Sequence, residues 1–568
     1  MRYAENKVAA EELRRNEWAF WGVALAVLIF FAGSDAWWGN EAYFAEVVRE
    51  MEQSGKWFYP TFNQEIVHNA PWLLLWEGWL AGKLFGISEW SLRGVAILNA
   101  LALLAGTMLL ARQFFNRRIA LLSGVLLLGS CGFLYASRLF LGVIPAAACG
   151  IWALYLFVAP WQRMDFLRPA AVIFFLVLAV FLGSFYAALP PLGAGIVIGL
   201  TVKKEKQSKW MIALWSALGI VALAVCCWLR HFGVLPPEYP RFAEGFSRGV
   251  LRAIGFDAIR VFFPWSLWGI VAVAEIFFTF SRRESNFRSF AVATAVVWIT
   301  CLFPSIENWR QMIHLLPMAA ILTAASLAEE RELNFPDRAA DTVTRYLAII
   351  TGAFAVASVI WIPILQILFK ISLSAYILWL MPVMGVTAQC LLLFDERAAQ
   401  RCALPERCGG TVLAALTLAA TALCFLRPNL AEFRSGRSFI QEELAVQLKN
   451  LPGKAMLYYG EQPDASLLYY GKVTAQFNAT GKRDRQTLLR EFLESNRERF
   501  VAVIANADEA TQKEIAAIGN EFDLRWETPS ARERIGTFSS AGKRLALYFG
   551  NVGAKAETES TSATEEKP

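Results

Sequence analysis

What most limits the fold of this chain is the recurrence of long apolar runs. Stretches of about 17–25 mostly apolar residues are long enough to cross the hydrocarbon core of a bilayer as helices. Such runs begin near Trp18, Trp90, Ala120, Phe140, Pro169, Leu189, Trp210, Ile259, Phe290, Gln311, Tyr346, Leu373 and Thr411, which makes about thirteen spans. With 56% hydrophobic and only 18% charged residues in a chain of 568, this much apolar surface has no aqueous place to hide. A soluble enzyme, a disordered chain and a coiled coil are excluded. The expectation is an α-helical polytopic membrane protein. Its first run lies too deep in the chain and lacks a small-residue cleavage site, so it reads as a retained anchor.

Loops rich in Lys and Arg stay cytoplasmic. If the N-terminus (Arg2, Lys7, Arg14, Arg15) is inside, every second connection should be basic, and each is: Arg112/Arg117/Arg118, Arg163/Arg168, Lys203/Lys204/Lys206/Lys209, Arg282/Arg283/Arg288, Arg331/Arg338/Arg345 and Arg397/Arg401/Arg407. The connection after Cys227, with Arg230, Arg241, Arg248 and Arg252, is the exception among the intervening ones. An odd number of spans puts the C-terminal region outside. The net charge of +6 is then a topology signal, and no nucleic-acid partner is called for. The expected organisation is a cytoplasmic N-terminus (1–17), a membrane domain (18–427) with a large outer loop (33–90), an outer α/β domain (428–553) and a disordered tail (554–568). The chain is thus expected to lie in a membrane with many passes and its N-terminus cytoplasmic. Of the 9 cysteines, none falls in an outer segment, so no disulfide is expected.

The outer loop opens with Asp35 and Trp37-Trp38-Gly39-Asn40-Glu41. After it, Tyr43, Phe44, Val47, Val48 and Met51 recur at helical spacing opposite Glu46, Arg49, Glu50 and Glu52. That pattern predicts an amphipathic interfacial helix, ended by Ser54-Gly55, with Glu46 and Asp35 as solvated charges. Trp57 to Pro60 continues extended, and Pro71 starts a second apolar helix to about Phe85. A second outer segment, about His231 to Asp257, carries Arg241, Arg248 and Arg252, which suit phosphate oxygens or lipid headgroups. Beyond Arg427 the composition turns globular. Residues 454–459, 500–505 and 543–549 read as strands, and Arg485–Arg497 and Asp508–Phe522 as helices. There is no internal repeat and no sign of paired broken helices, which disfavours a transporter.

These segments resemble the GT-C membrane glycosyltransferases, in the branch of the aminoarabinose (lipid A) transferase and the protein O-mannosyltransferases. Residues 40–51 look like that family's Asp-Glu helix. Gly55-Lys56-Trp57 through Asn63, then His68-Asn69-Ala70-Pro71, are similar to its Gly-Asp-Trp, Asn-Gly and His-Lys-Pro-Pro segment. Residues 85–90 with Arg93, then Pro264-Trp265, and Arg310 seven residues before Pro317, match further features. The resemblance implies a GT-C-like bundle of about 13 transmembrane helices with a small outer α/β domain. It also implies a polyprenyl-phosphate sugar donor, a lipid or glycan acceptor, lipid A modification and contacts with membrane lipids. It leaves a divalent metal open and requires no other cofactor.

Several positions depart from the family. Its catalytic Asp falls on Asn40, its Lys before the double proline on Asn69, its acid after Arg138 on Val143, and a further Lys on Leu182. A hydroxyl acceptor benefits from a carboxylate that takes its proton, a step worth about 10²–10⁴-fold. A phosphate acceptor is already ionised, and a departing phosphate needs cations. The candidate catalytic residues are therefore Asn40, Glu41 and His68, with Lys56, Asn69, Arg138 and Arg310 as substrate or phosphate ligands. Glu41 is equally a favourable N-terminal helix charge, and Arg310 equally a snorkelling arginine. His68, His231 and His314 form a conceivable zinc set, but three separate interfacial histidines fit the spacing better. The alternative to an enzyme is a catalytically degenerate relative that binds polyprenyl phosphate or partners another membrane protein.

Overall fold

A computed structural model describes residues 2–29, 32, 37, 39–63, 65–67, 71–159, 167–182, 185–201, 257–280, 285–302, 308–328, 455–459, 465–471, 485–506, 509–524, 526 and 545–553, with isolated positions 217, 219–221, 224 and 437. The chain divides into two compact units. One comprises Met1–Asp35 with His68–Asn429, the other Ala36–Val67 with Leu430–Pro568.

The first unit is a helical bundle. In α1 (Arg2–Ile29), Phe20, Ala24 and Leu28 recur every four residues as a buried stripe, while Trp18, Val23, Leu25 and Ile29 are exposed. A helix that is apolar on its exposed face as well is one meant for lipid. Glu17, just before that apolar stretch, accepts hydrogen bonds from Arg112 and Arg117, tying α1 to the corner between α4 (Glu89–Phe114) and α5 (Arg117–Leu128). α4 begins in a capping box, Ser88 Oγ accepting the Ser91 N–H at 3.2 Å and Ser91 Oγ accepting the Ser88 N–H at 3.0 Å. Among the described residues, α4 is the helix long and apolar enough to cross a membrane unaided. α3 (Trp72–Phe85), α7 (Val143–Val158), α8 (Leu167–Leu182) and α9 (Phe185–Thr201) complete this part. α7 packs on α4, α8 and α9, and α9 also packs on Ser285–Leu302. Spans read at Trp210, Tyr346, Leu373 and Thr411, and the outer segment His231 to Asp257 except Asp257 itself, lie outside the described residues.

Three of the sequence-predicted spans are not single helices. The run from Ala120 stops at Leu128, turns at Gly129-Ser130 and resumes as the short α6 (Cys131–Ala136). The run from Ile259 is split into Ala258–Phe262 and Ser266–Thr279 by a cis Phe263–Pro264 bond. The run from Gln311 is split into Asn308–Met312 and Leu316–Ala328, with Pro317 in the first turn of the second piece, a position helices tolerate. Apolar averaging passes over such breaks because the breaking residues are few. The short pieces gather: Ala258–Phe262 packs against both α6 and Asn308–Met312, and the Cys131 N–H donates to Phe263 O at 2.8 Å.

In the second unit, β3 (Ala455–Tyr459), β4 (Phe500–Asn506) and β5 (Leu545–Asn551) form a sheet in the order β3-β4-β5. β3 is parallel and β5 antiparallel to β4. A parallel pair needs a crossover, and Arg485–Ser495 lies in it. Val501, Ala502, Val503, Ile504 and Ala505 are all buried, as a central strand covered on both faces should be. Leu489 and Leu493 of that crossover helix, and Ile515 and Ile518 of Glu509–Glu521, fill the same core. The tail from Ala554 lies outside the described residues.

The same unit contains α2 (Gly39–Ser54) and a small hairpin, β1 (Thr61–Phe62) and β2 (Glu65–Ile66). α2 ends where Gly55 takes a φ of 68°, a value glycine adopts without strain.

Candidate functional site

α2 carries the residues singled out in the first loop. Val47, Val48 and Met51 are fully buried, as the periodicity predicts. Glu46, expected to be solvated, is 1% exposed. It takes a two-pronged hydrogen bond from Arg49, Nε to Oε2 at 2.7 Å and Nη2 to Oε1 at 2.5 Å. Burial pushes its carboxyl above the usual carboxylate range, and the Arg49 hydrogen bonds pull the other way. The cause of the mistaken expectation is tertiary: the helix Ala465–Gly471 packs on α2, so α2 buries more than the one face that its periodicity reveals. Glu41 is 2% exposed, whereas the neighbouring Asn40 is exposed.

Glu50 organises the chain that follows. Its Oε2 accepts from Thr61 Oγ1 at 2.7 Å and its Oε1 from the Asn63 N–H at 2.6 Å, so one carboxylate spans the β1–β2 hairpin. Asn63 sits there at φ 52°, in the left-handed region, where Asn is tolerated better than most residues. The ring of Tyr43 packs 4.4 Å from that of Phe62. Burial, with the Glu50 charge adding, pushes the Tyr43 phenol up to about 12. Lys56, Trp57, Phe58 and Tyr59 are exposed between the helix and the hairpin. Sequence reasoning missed Glu50, whose signal would have been an acid one helical turn before the end of α2, ahead of a polar Thr-Phe-Asn turn.

In the bundle, Arg138 follows α6 and is 1% exposed, donating to Val27 O. Arg93 is fully buried and donates to Ala32 O at 2.9 Å. Arg310 is half-buried on Asn308–Met312. α6, which ends two residues before Arg138, and Asn308–Met312, which carries Arg310, both pack against the same short helix, Ala258–Phe262. Next to it Trp265 and Trp268 stack at 5.5 Å and 19°, both essentially buried. His314 is buried close to Arg310 in sequence. His68, Asn69, Asp35 and His231 lie outside the described residues.

A Cβ on Gly142 would stand 1.9 Å from Leu182 O and 3.2 Å from Pro71 Cβ. Gly142, the residue before Val143, therefore lies against Leu182 and Pro71, where the start of α7 meets the end of α8 and the residue ahead of α3. Leu182 is 1% exposed. Among the described residues no group of three or more His, Cys, Asp or Glu stands close enough to hold a metal ion. Cys131, Cys149 and Cys301 are free thiols. Asn40, Glu41 and Lys56 belong to one unit and Arg138 and Arg310 to the other.

No protein-family model matches the chain. An undecaprenyl phosphate-alpha-4-amino-4-deoxy-L-arabinose arabinosyl transferase of Shewanella sediminis is 34% identical over 84 residues, 15% of this chain and 15% of that protein. An uncharacterized protein of Aquifex aeolicus is 33% identical over 93 residues, 16% of this chain and 19% of that protein. These matches span under a fifth of either relative. Two solved structures are similar over nearly the whole length. ArnT of Cupriavidus metallidurans bound to undecaprenyl phosphate matches with a TM-score of 0.66 at 19% identity, covering 94% of this chain and 97% of that one. The same protein in the apo state matches with a TM-score of 0.66 at 16% identity, again covering 94% and 97%. The resemblance of the sequence to the aminoarabinose transferase branch of the GT-C enzymes is borne out in the fold: the chain has the ArnT-like architecture of a polytopic membrane protein.

Proposed function

We propose that this protein is a membrane glycosyltransferase that moves a sugar from a polyprenyl-phosphate-linked donor to a lipid or surface-glycan acceptor. The reaction takes place on the outer face of a bacterial-type inner membrane. The observation that carries the reading is the ArnT-like fold over 94% of the chain, shared with a protein that binds undecaprenyl phosphate. It is supported by one short helix, Ala258–Phe262, against which both α6, just ahead of Arg138, and Asn308–Met312, which carries Arg310, are packed. On this reading about thirteen spans leave residues 1–17 cytoplasmic and the α/β domain of 428–553 outside.

In the transfer, an acceptor oxygen bonds to the anomeric carbon as the bond from that carbon to the donor phosphate oxygen breaks. The electron pair leaves on polyprenyl phosphate. We assign Arg138 and Arg310 to that phosphate and, on the sequence resemblance, Lys56 and Asn69 to substrate binding and Asn40, Glu41 and His68 to catalysis. Cations aimed at charge that grows as the bond breaks are the most effective contribution available to such a site.

Purified protein in lipid nanodiscs, given undecaprenyl-phosphate-linked 4-amino-4-deoxy-L-arabinose and a panel of other undecaprenyl-phosphate sugars with phosphate-bearing and hydroxyl-bearing lipid acceptors, should release undecaprenyl phosphate with product formation. Absence of transfer across the panel refutes the reading. A second reading is favoured by the residues Asn40, Asn69, Val143 and Leu182, where the resemblance expects acids and lysines: a degenerate relative that binds polyprenyl phosphate or serves as a partner subunit. It predicts saturable undecaprenyl phosphate binding with no transfer.

A further inference from the structure

The helix Ala465–Gly471 lies more than 400 residues after α2 in the chain, yet the two pack together. The Tyr470 hydroxyl accepts the backbone N–H of Trp37 at 2.7 Å. The Trp37 side chain is fully buried and meets Tyr469 edge-on with ring centroids 6.0 Å apart. Tyr469 and Tyr470 are themselves perpendicular at 5.2 Å. The guanidinium of Arg437 stands 6.0 Å from the Tyr470 ring, within reach of a cation–π attraction.

This contact acts at a sensitive point. Trp37 stands three residues before Asn40, and Gly39, the first residue of α2, is between them. Glycine gives the backbone wide freedom, so the orientation of the first turn of α2 depends on what holds the chain ahead of it. Backbone N–H groups around a helix start also have no acceptor from within the helix. Tyr470 supplies one, and the Tyr469 and Trp37 rings supply a rigid, buried contact around it.

We infer that Tyr470 is a positioning residue: the C-terminal segment holds Trp37 and, through it, the first turn of α2 with Asn40 and Glu41. This rests on the reading of that turn as part of a transfer site, and it gives the C-terminal α/β unit a role in the reaction without any direct contact with substrate. Tyr470→Phe removes only the accepting oxygen and keeps the ring.

The test uses the full-length protein in nanodiscs, wild type against Tyr470→Phe, with two readouts. In hydrogen–deuterium exchange, peptides covering residues 37–44 should exchange about three to ten times faster, the range set by losing one hydrogen bond, while peptides covering β4 stay unchanged. In the transfer assay, kcat counted per folded, monodisperse protein should fall about tenfold with the donor KM within twofold; the normalisation is needed because loss of folded protein alone lowers the apparent kcat at constant KM. Unchanged exchange at 37–44 overturns the inference. Faster exchange with an unaltered kcat overturns it as well. If wild-type protein transfers no sugar, the proposed function fails, and exchange at 37–44 alone decides whether Tyr470 holds α2.

Discussion

Gly142 sits where α7 begins, with φ −69° and ψ −6°, a conformation any residue adopts. Its glycine is needed for room. An alanine Cβ would lie 1.9 Å from Leu182 O and 3.1 Å from Leu182 C, against an ordinary contact of about 3.5 Å. The two main chains would have to part by more than about 1 Å. Where flexible side chains can give way, overpacking costs about 1–3 kcal/mol. Here the obstacle is backbone at the C-terminal end of α8, so the cost of Gly142→Ala belongs at the top of that range, about 3 kcal/mol. Gly94 on α4 supplies the matched control, since nothing lies within 4 Å of a Cβ there. Gly94→Ala should be neutral or stabilising by up to about 1 kcal/mol, the helix penalty of glycine. Thermal denaturation in detergent, followed by size-exclusion recovery, should place Gly142→Ala well below wild type and Gly94→Ala at or above it. If Gly142→Ala melts with wild type, the close crossing of Gly142, Leu182 and Pro71 is wrong.

Three further substitutions test other contacts. Glu17→Gln should destabilise by about 1–2 kcal/mol at neutral pH, with the part-exposed arginines lowering the value. The Arg117 hydrogen bonds, opposed by burial and helped by Arg112, hold the Glu17 carboxyl below its usual range. Its stabilisation is therefore present above the unfolded carboxylate pKa and lost as pH falls through the folded one, so the gap between wild type and variant should close in acid; a gap that stays constant refutes the pairing. Glu46→Leu alone should cost about 3 kcal/mol by stranding Arg49, whereas Glu46→Leu with Arg49→Met should be near neutral, as thermal denaturation will report. Glu50→Gln should speed proteolytic cleavage within residues 55–67 about tenfold, which corresponds to the loss of one charged hydrogen bond, with no change at β4.

Much of the architecture was legible because periodicity is local. The run of Tyr43, Val47, Val48 and Met51 marks α2, and the β-rich stretches around Met456 and Val503 mark two strands of the sheet, whose pairing only the structure shows. What escaped was set by distant chain. Glu46 sits on the polar side of the α2 pattern and becomes buried through a helix more than 400 residues away. The breaks at Gly129-Ser130, Phe263-Pro264 and residues 313–315 vanish in a hydropathy average, although Pro264 and Pro317 were visible as letters. The contact of Gly142 with Leu182 likewise depends on how α7 meets α8, which no single segment encodes.

Adjacent positions on a helix point about 100° apart. Asn40 is exposed and Glu41 is 2% exposed, so the open side of the first turn of α2 presents an amide while the carboxylate is packed away. An amide hydrogen-bonds a hydroxyl but does not take its proton, and forgoing that proton transfer costs about 10²–10⁴-fold. A phosphate acceptor has no such proton to lose. On the proposed function the preferred acceptor is therefore phosphate-bearing, and Asn40→Asp should slow its reaction, because a carboxylate about 4 Å from an anion at a protein surface opposes it by a few kcal/mol before screening. A tenfold fall in kcat over KM, steeper at low salt than at high, is the expected result. A rise toward a hundredfold with a hydroxyl-bearing acceptor would instead make the hydroxyl the nucleophile, with Asn40 standing where its base was lost.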